Sequence, residues 1–449
     1  MNTPICDFVR AYAAKDPLRL HMPGHKGVGP LGVEGLDITE IPGADVLYAP
    51  HGVIAESEAN AAALFGSAKT VYSTEGSSLC IRAMLCLARL WAAANGKRPY
   101  ILAGRNAHRS FLSAAALLDL DVAWLYGEES SRGIVSCAIT AEGLARRLSE
   151  LPKAPAAVYI TSPDYLGARV DLPALAAVCH AHGALLLTDN AHGAYLKFMS
   201  TSQHPLDLGA DLCCDSAHKT LRVLTGGAYL HIAKSAPPML CENAERAMAL
   251  FAGTSPSYLV LQSLDAMNAV LDSCYVNNIM SIAVRTSAIR ATLVSEGWTL
   301  TGDEPLKLTL QTKPRGYTGT EVAALLEQRN IFCEFADPDY IVFMLTPHLP
   351  DSACDSLLAA LCELPPHAPL IDATPELCKS KQILTPREAM LAPSETLPVG
   401  QALGRILAAP CVSCPPAVPI LVCGERIDEA AVSAFRYYGI ETVEVVCGR

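Results

Sequence analysis

Charge is scarce in this chain. Asp, Glu, Lys and Arg make up 18% of its 449 residues, while hydrophobic residues make up 51%. That balance excludes intrinsic disorder and a heavily solvated repeat array. Basic residues are the scarcer sign: Lys+Arg 34 against Asp+Glu 45 leaves −11. No basic block offsets the deficit, which argues against nucleic acid or an anionic membrane as partner. No run of ~18 apolar residues escapes a polar break, so no membrane span is expected. Residues 1–20 lack a basic stretch followed by an apolar one, so export is not expected and a cytoplasmic protein is. The 17 cysteines lack the close spacing of disulfide scaffolds. They read as reduced thiols, mostly small core residues.

Several chemical signatures are missing too. His21 and His25 have i, i+4 spacing, but Pro23-Gly24 between them forbids the helix that would put both on one face. Cys411-x-x-Cys414 is a lone pair with no second pair or His set. No metal site is expected from either. There is no P-loop, and no strand precedes Gly27-Val28-Gly29 as a dinucleotide fingerprint requires.

What is present is an alternation of helix and strand from about residue 60. Residues 59–64, 79–94, 107–118 and 172–181 read as helices, rich in Ala and Leu. Residues 100–103, 122–126, 156–161, 184–188 and 228–232 are apolar runs bounded by polar or Gly/Pro residues. Buried strands joined by crossover helices predict an α/β fold with a mostly parallel sheet. Its ligand sites lie at the carboxyl ends of strands, just after Tyr72, Ala103, Thr161 and Thr188. After about residue 235 helices dominate, then a small α+β unit follows, then a Pro-rich stretch at 364–375. The expected domains are an N-terminal segment (1–25), a large cofactor-binding domain (26–270), a small α+β domain (271–365) and a C-terminal α+β unit (366–449).

Four clusters carry chemistry. In Asp215-Ser216-Ala217-His218-Lys219-Thr220, ahead of Gly226-Gly227, a lysine flanked by hydroxyls and an imidazole suits a Schiff-base lysine beside a phosphate. In Thr188-Asp189-Asn190-Ala191-His192 a carboxylate ends a buried strand, where it can hold a protonated pyridine nitrogen; it can equally cap the next helix. In Tyr72-Ser73-Thr74-Glu75-Gly76-Ser77-Ser78, hydroxyls and a glycine stand at a helix start, a ready anion cradle. In Arg105-Asn106-Ala107-His108, a histidine follows a strand and can stack on a flat ring. Each cluster alone has an ordinary structural explanation. Their order on one α/β pattern is that of a fold type I pyridoxal-phosphate (PLP) enzyme.

With these residues in view the chain resembles the Orn/Lys/Arg decarboxylase family. The likeness runs through 19–27 (Arg-Leu-His-Met-Pro-Gly-His-Lys-Gly), 37–45, 52–56 and 62–66. It continues through Ser162-Pro163-Asp164-Tyr165-Leu166-Gly167, Gly209-Ala210-Asp211 and Glu334-Phe335-Ala336-Asp337, and ends on Pro415-Pro416-Ala417-Val418-Pro419 with Gly424-Glu425. The resemblance implies pyridoxal 5'-phosphate on Lys219, with Asp189 on the pyridine nitrogen and His108 stacked on the ring. It implies that Gly76, Ser77, Ser78, Ser216 and His218 hold the phosphate, that His192 lies near the ring, and that His218 or Lys219 returns a proton to Cα. Asp45 and Glu334 are the candidates for the cationic end of a basic substrate. The implied reaction is decarboxylation of lysine, arginine or ornithine to the amine and carbon dioxide. The alternatives are another fold type I reaction, such as transamination or aldol cleavage, and a degenerate PLP-binding relative. The strand 340–345 carries no Arg for a substrate α-carboxylate, which favours decarboxylation over transamination. The family usually has Asn at Glu75, Glu at Asn190 and Pro at Arg222. Because the chain begins close to its first motif, the N-terminal wing domain of long members is not expected, and a homodimer or dimer of dimers is.

Overall fold

Strand-forming apolar runs separated by Ala- and Leu-rich helices fold as their alternation implies. The computed structural model describes residues 1–127, 137–372, 374–375, 379–413 and 419–448; the 415–418 motif and Cys414 lie outside them. The chain divides into two compact units, one of residues 1–99, 154–160 and 172–277, the other of 100–153, 161–171 and 278–449. The dividing line runs inside the large domain expected over 26–270.

The strands are β1 (Lys69–Ser73), β2 (Tyr100–Gly104), β3 (Asp121–Leu125), β4 (Ala157–Thr161), β5 (Leu185–Asp189), β6 (Leu212–Asp215) and β7 (Ala228–Ile232). In the first unit they lie in the order β1-β7-β6-β5-β4. β5 and β6 are parallel, while β7 is antiparallel to both β6 and β1. The fold is the expected α/β class with a mostly parallel sheet; β7 is the reversal. Its cause is the connection from Asp215 to Ala228, which holds only the four-residue helix Ala217–Thr220. A parallel crossover usually needs a full helix. The registers then fix where the strand ends fall. Ser73 faces Ala228, Asp215 faces Tyr229 and Asp189 faces Cys214. Three of the four chemical clusters therefore meet along one edge of the first unit.

Helix Ser77–Ala94 leads away from that edge. By length and composition it could cross a membrane, with mean hydropathy 1.3, but 56% of it is buried inside the protein. It packs on β1, β5, β6 and β7, which is the environment of a core helix. The N-terminal segment is no loose arm. Helix Pro4–Ala13 starts with Pro4 at a first-turn position, where the missing N–H costs nothing. It buries Ile5, Cys6 and Val9 against helices Val53–Phe65 and Tyr258–Ser273. Asp265 pins it, accepting from the Cys6 amide at 2.9 Å and from the Ser57 hydroxyl at 2.6 Å. All cysteines among the described residues are free thiols, and most are buried.

In the second unit β2 and β3 pair in parallel. A four-stranded antiparallel sheet is built from β8 (Thr299–Thr301), β9 (Lys307–Gln311), β10 (Phe335–Ala336) and β11 (Tyr340–Met344), in the order β10-β11-β9-β8. Helix Gly319–Glu327 starts with a Thr318/Glu321 capping box, as Thr-x-x-Glu predicts. Val342 shares one hydrophobic cluster with Val399, Ile420, Phe435 and Val445, so these later residues pack onto the small sheet.

One buried ion pair gives the Gly424-Glu425 motif a purpose. Arg105 Nη2 lies 2.8 Å from Glu425 Oε2, with both side chains buried, and the Arg105 guanidinium sits 5.2 Å from the Trp124 ring centre. Burial pushes the Glu425 carboxyl up, and Arg105 beside it pulls back down. Removing one member leaves the other charged and buried, which typically costs about 3–5 kcal/mol. Glu425→Ala should therefore lower stability by about that amount, read as a shifted urea midpoint. An unshifted midpoint would show that Arg105 finds another partner. Arg105 stands three residues before His108, so the same pair anchors the loop that carries the candidate stacking histidine.

Candidate active site

The site is assembled from the ends of β1, β5 and β6 and the start of β7. Ser216 donates its hydroxyl hydrogen to Ser77 Oγ at 2.8 Å. Ser77 opens the 18-residue helix Ser77–Ala94, whose first amides point out of the helix end. Gly76 just before it has φ 71 and donates its N–H to the Gly226 carbonyl at 2.7 Å. Gly226 has φ +99, and a Cβ there would stand 2.6 Å from the Thr74 carbonyl, so no side chain fits. The glycines thus let the two loops close on each other with their hydroxyls converging. Glu75, where the family usually has Asn, is exposed and turns away, its Oε1 accepting the Gly253 amide at 2.8 Å. Arg222 is exposed as well. Neither departure intrudes on the cradle.

Lys219 sits on the short helix Ala217–Thr220, its Nζ 3.0 Å from His192 Nε2. Asp189 ends β5 and is 3% exposed. Its Oδ2 accepts from the Tyr159 hydroxyl at 2.9 Å and its Oδ1 from the Ala191 amide at 3.2 Å. Tyr159, not among the residues expected from the sequence, thus touches the carboxylate directly. The signal was a tyrosine inside a fully buried strand, whose hydroxyl must find a partner.

His218 lies beside the cradle, its Cε1 3.9 Å from where a Cβ on Gly76 would stand. Its Nδ1 lies 3.0 Å from the Gly227 carbonyl, an acceptor only, so Nδ1 carries the proton. Burial lowers its pKa, the Gly227 contact opposes that, and the neighbouring Lys219 charge lowers it further. The Gly227 contact engages Nδ1 only and leaves Nε2 open. Asp45 is spent. Its two oxygens take the amides of Val46, His51, Gly52, Ile54 and Ala55 at the start of helix Val53–Phe65. That is a helix anchor, and it leaves Asp45 no lone pair suited to a substrate cation. Glu334 and His108 belong to the second unit. Glu334 Oε1 accepts from the Tyr165 hydroxyl at 3.0 Å. His108 is the N-cap of helix Arg109–Leu118, its Nδ1 accepting from the Ser110 amide.

The first unit's residues fit PLP. A buried carboxylate wants a cation, yet among the described residues Asp189 has only neutral donors. A protonated ring nitrogen would complete it. The Ser77–Ser216 hydroxyls at a long helix start suit a phosphate, and a lysine amine beside an imidazole suits the aldehyde carbon.

The Orn/Lys/Arg decarboxylase major-domain model matches residues 33–302, and the C-terminal-domain model matches 376–443. An arginine decarboxylase of Bacillus subtilis is 29% identical, over 96% of this chain and 92% of its own length. One from Halalkalibacterium halodurans is 28% identical, over 97% of this chain and 93% of its own. Among solved structures, the constitutive lysine decarboxylase of E. coli superposes with TM-score 0.79 at 18% identity, covering 99% of this chain and 82% of that one. Sphingomonas wittichii serine palmitoyltransferase aligns with TM-score 0.54 at 15% identity, over 68% and 74%. The two structural likenesses agree on the fold, and with the major-domain match running through more than half of its residues the chain belongs to the Orn/Lys/Arg decarboxylase family, as an amino-acid decarboxylase.

Proposed function

We propose that this chain decarboxylates a basic amino acid with PLP held on Lys219, arginine being the first substrate to test because its relatives are named for it. The observation that carries the reading is the meeting, at one sheet edge, of a lysine amine, a cation-deficient buried carboxylate and a hydroxyl cradle. Gly76, Ser77, Ser78 and Ser216 hold the phosphate. Asp189 keeps the ring nitrogen protonated, and the Tyr159 hydroxyl fixes the Asp189 carboxylate. When bound, PLP supplies the electron sink that takes up the pair left on Cα as carbon dioxide departs. His192 orients the Lys219 amine. Lys219 or His218 returns the proton to Cα, the His218 ring being oriented by its Nδ1 contact with the Gly227 carbonyl. A panel of arginine, lysine and ornithine, assayed for amine and carbon dioxide, tests this. A keto acid product, or no turnover of all three, would sink it.

The working unit in this proposal is a cytoplasmic homodimer feeding polyamine formation. Leu18, Leu20, Val28 and Leu31 are each at least 80% exposed, and all lie within 14 residues of one segment. Apolar side chains grouped so on a surface mark an interface. The free thiols fit a reducing compartment. Light scattering at micromolar concentration should give twice 47.6 kDa. A fully active species at 47.6 kDa would refute the dimer.

A further inference from the structure

The loop that follows Asp189 is held by a buried polar cluster that the reaction itself does not use. Asp215 is fully buried at the end of β6. Its Oδ1 accepts from Asn190 Nδ2 at 2.7 Å and its Oδ2 from His204 Nε2 at 3.0 Å. His231 Nε2 stands 3.4 Å from Oδ2, at the edge of hydrogen-bonding range, and its Nδ1 is 2.8 Å from Thr70 Oγ1. Burial alone would raise the Asp215 carboxyl; the imidazoles of His204 and His231 hold it well below the usual carboxylate range. Two histidines and an aspartate at this spacing resemble a metal site. His204 argues otherwise. Its Nδ1 accepts the Leu206 amide, which leaves the ring proton on Nε2, where a metal would have to bind.

Asn190 is clamped from both sides. Nδ2 must face the acceptor-only carboxylate, which fixes the amide's orientation. Its Oδ1 lies over Gly193, where a Cβ would stand only 2.0 Å away. The Gly193 amide closes the turn on the Asn190 carbonyl at 2.8 Å. That turn begins one residue after Asp189 and carries His192, the partner of Lys219.

We propose that Asn190, locked by Asp215 and its two histidines, is a positioning residue that sets the Asp189 carboxylate and the His192 ring against Lys219 for cofactor binding. The proposal rests on the PLP reading above. A donor to a buried carboxylate typically contributes enough that its loss is worth about tenfold or more in an equilibrium it controls.

The test is PLP binding to the apoprotein, followed by absorbance and by the visible circular dichroism of the bound cofactor. The variants are Asn190→Ala, Asn190→Asp and Gly193→Ala. Asn190→Ala loses the donor, Asn190→Asp sets a second carboxylate against Asp215, and Gly193→Ala displaces the amide without touching it. All three should weaken PLP binding about tenfold or more and alter the dichroic band per bound cofactor. Asn190→Ser, which keeps a hydroxyl donor, should recover part of both, and it serves as the readout if Asn190→Ala does not fold. A merely structural role would lower the melting temperature while leaving affinity and dichroism at wild-type values, and that result overturns the proposal. If the wild-type chain itself binds no PLP, the functional reading falls first and this one with it.

Discussion

Replacing Lys219 with alanine should lower turnover by at least about ten-thousandfold, with the fold retained. The amine is the only lysine nitrogen that the structure brings to His192 at the edge where Asp189, Ser77 and Ser216 gather, among the described residues. Other lysines of the same unit are engaged elsewhere: Lys69 with Glu245, Lys197 with Asp207. Their ammonium groups are held by carboxylates away from that edge. Lys219 stands beside the His192 imidazole. Borohydride reduction of the cofactor-loaded wild-type protein, followed by peptide mapping, should leave the pyridoxyl label on Lys219. Label on any other lysine would overturn the assignment, as would an alanine variant with ordinary activity.

Strands such as 157–161 and 185–189 were legible because complete burial demands unbroken apolar runs. The clusters at 73–78, 188–192 and 215–220 were legible because glycines, hydroxyls and charges are rare inside such a pattern. β7's direction was not, since an apolar run carries no arrow; it depends on whether the preceding connection can cross the sheet. The partners of Asp45 were not legible either. The motif fixes the residue type, but its partners are backbone groups brought near by folding, five amides in all. The Asn190–Asp215–His204–His231 cluster joins residues from four segments, and no spacing rule links 190, 204, 215 and 231. The packing partners of the N-terminal helix were hidden for a related reason. Helix Pro4–Ala13 has an apolar face too small to form a core, but enough to complete one made by two later helices.

Asp189→Asn should cost about a thousandfold in kcat while PLP remains bound through Lys219. The carboxylate's partners in the protein are all neutral: a tyrosine hydroxyl, a backbone amide and the Cys214 thiol. Each is a neutral donor that orients the carboxylate without carrying a charge to match it. A ring nitrogen bearing a proton supplies that charge. Asparagine keeps the size and can still accept from Tyr159, though its NH2 then meets the Ala191 amide in place of the acceptor Oδ1. What it lacks is the charge that makes protonation of the ring nitrogen favourable, and the ring then accepts electrons poorly. Losing ~4 kcal/mol of transition-state stabilisation is roughly a thousandfold in rate. Tyr159→Phe is the graded companion. It removes one donor and leaves the charge, so a loss nearer tenfold is expected, about the worth of one hydrogen bond to a charged group. The two variants should retain cofactor and differ in kcat by about two powers of ten. Near-normal turnover in Asp189→Asn would remove Asp189 from the mechanism, whereas equal losses in both would mean that the tyrosine, not the charge, is what the ring requires.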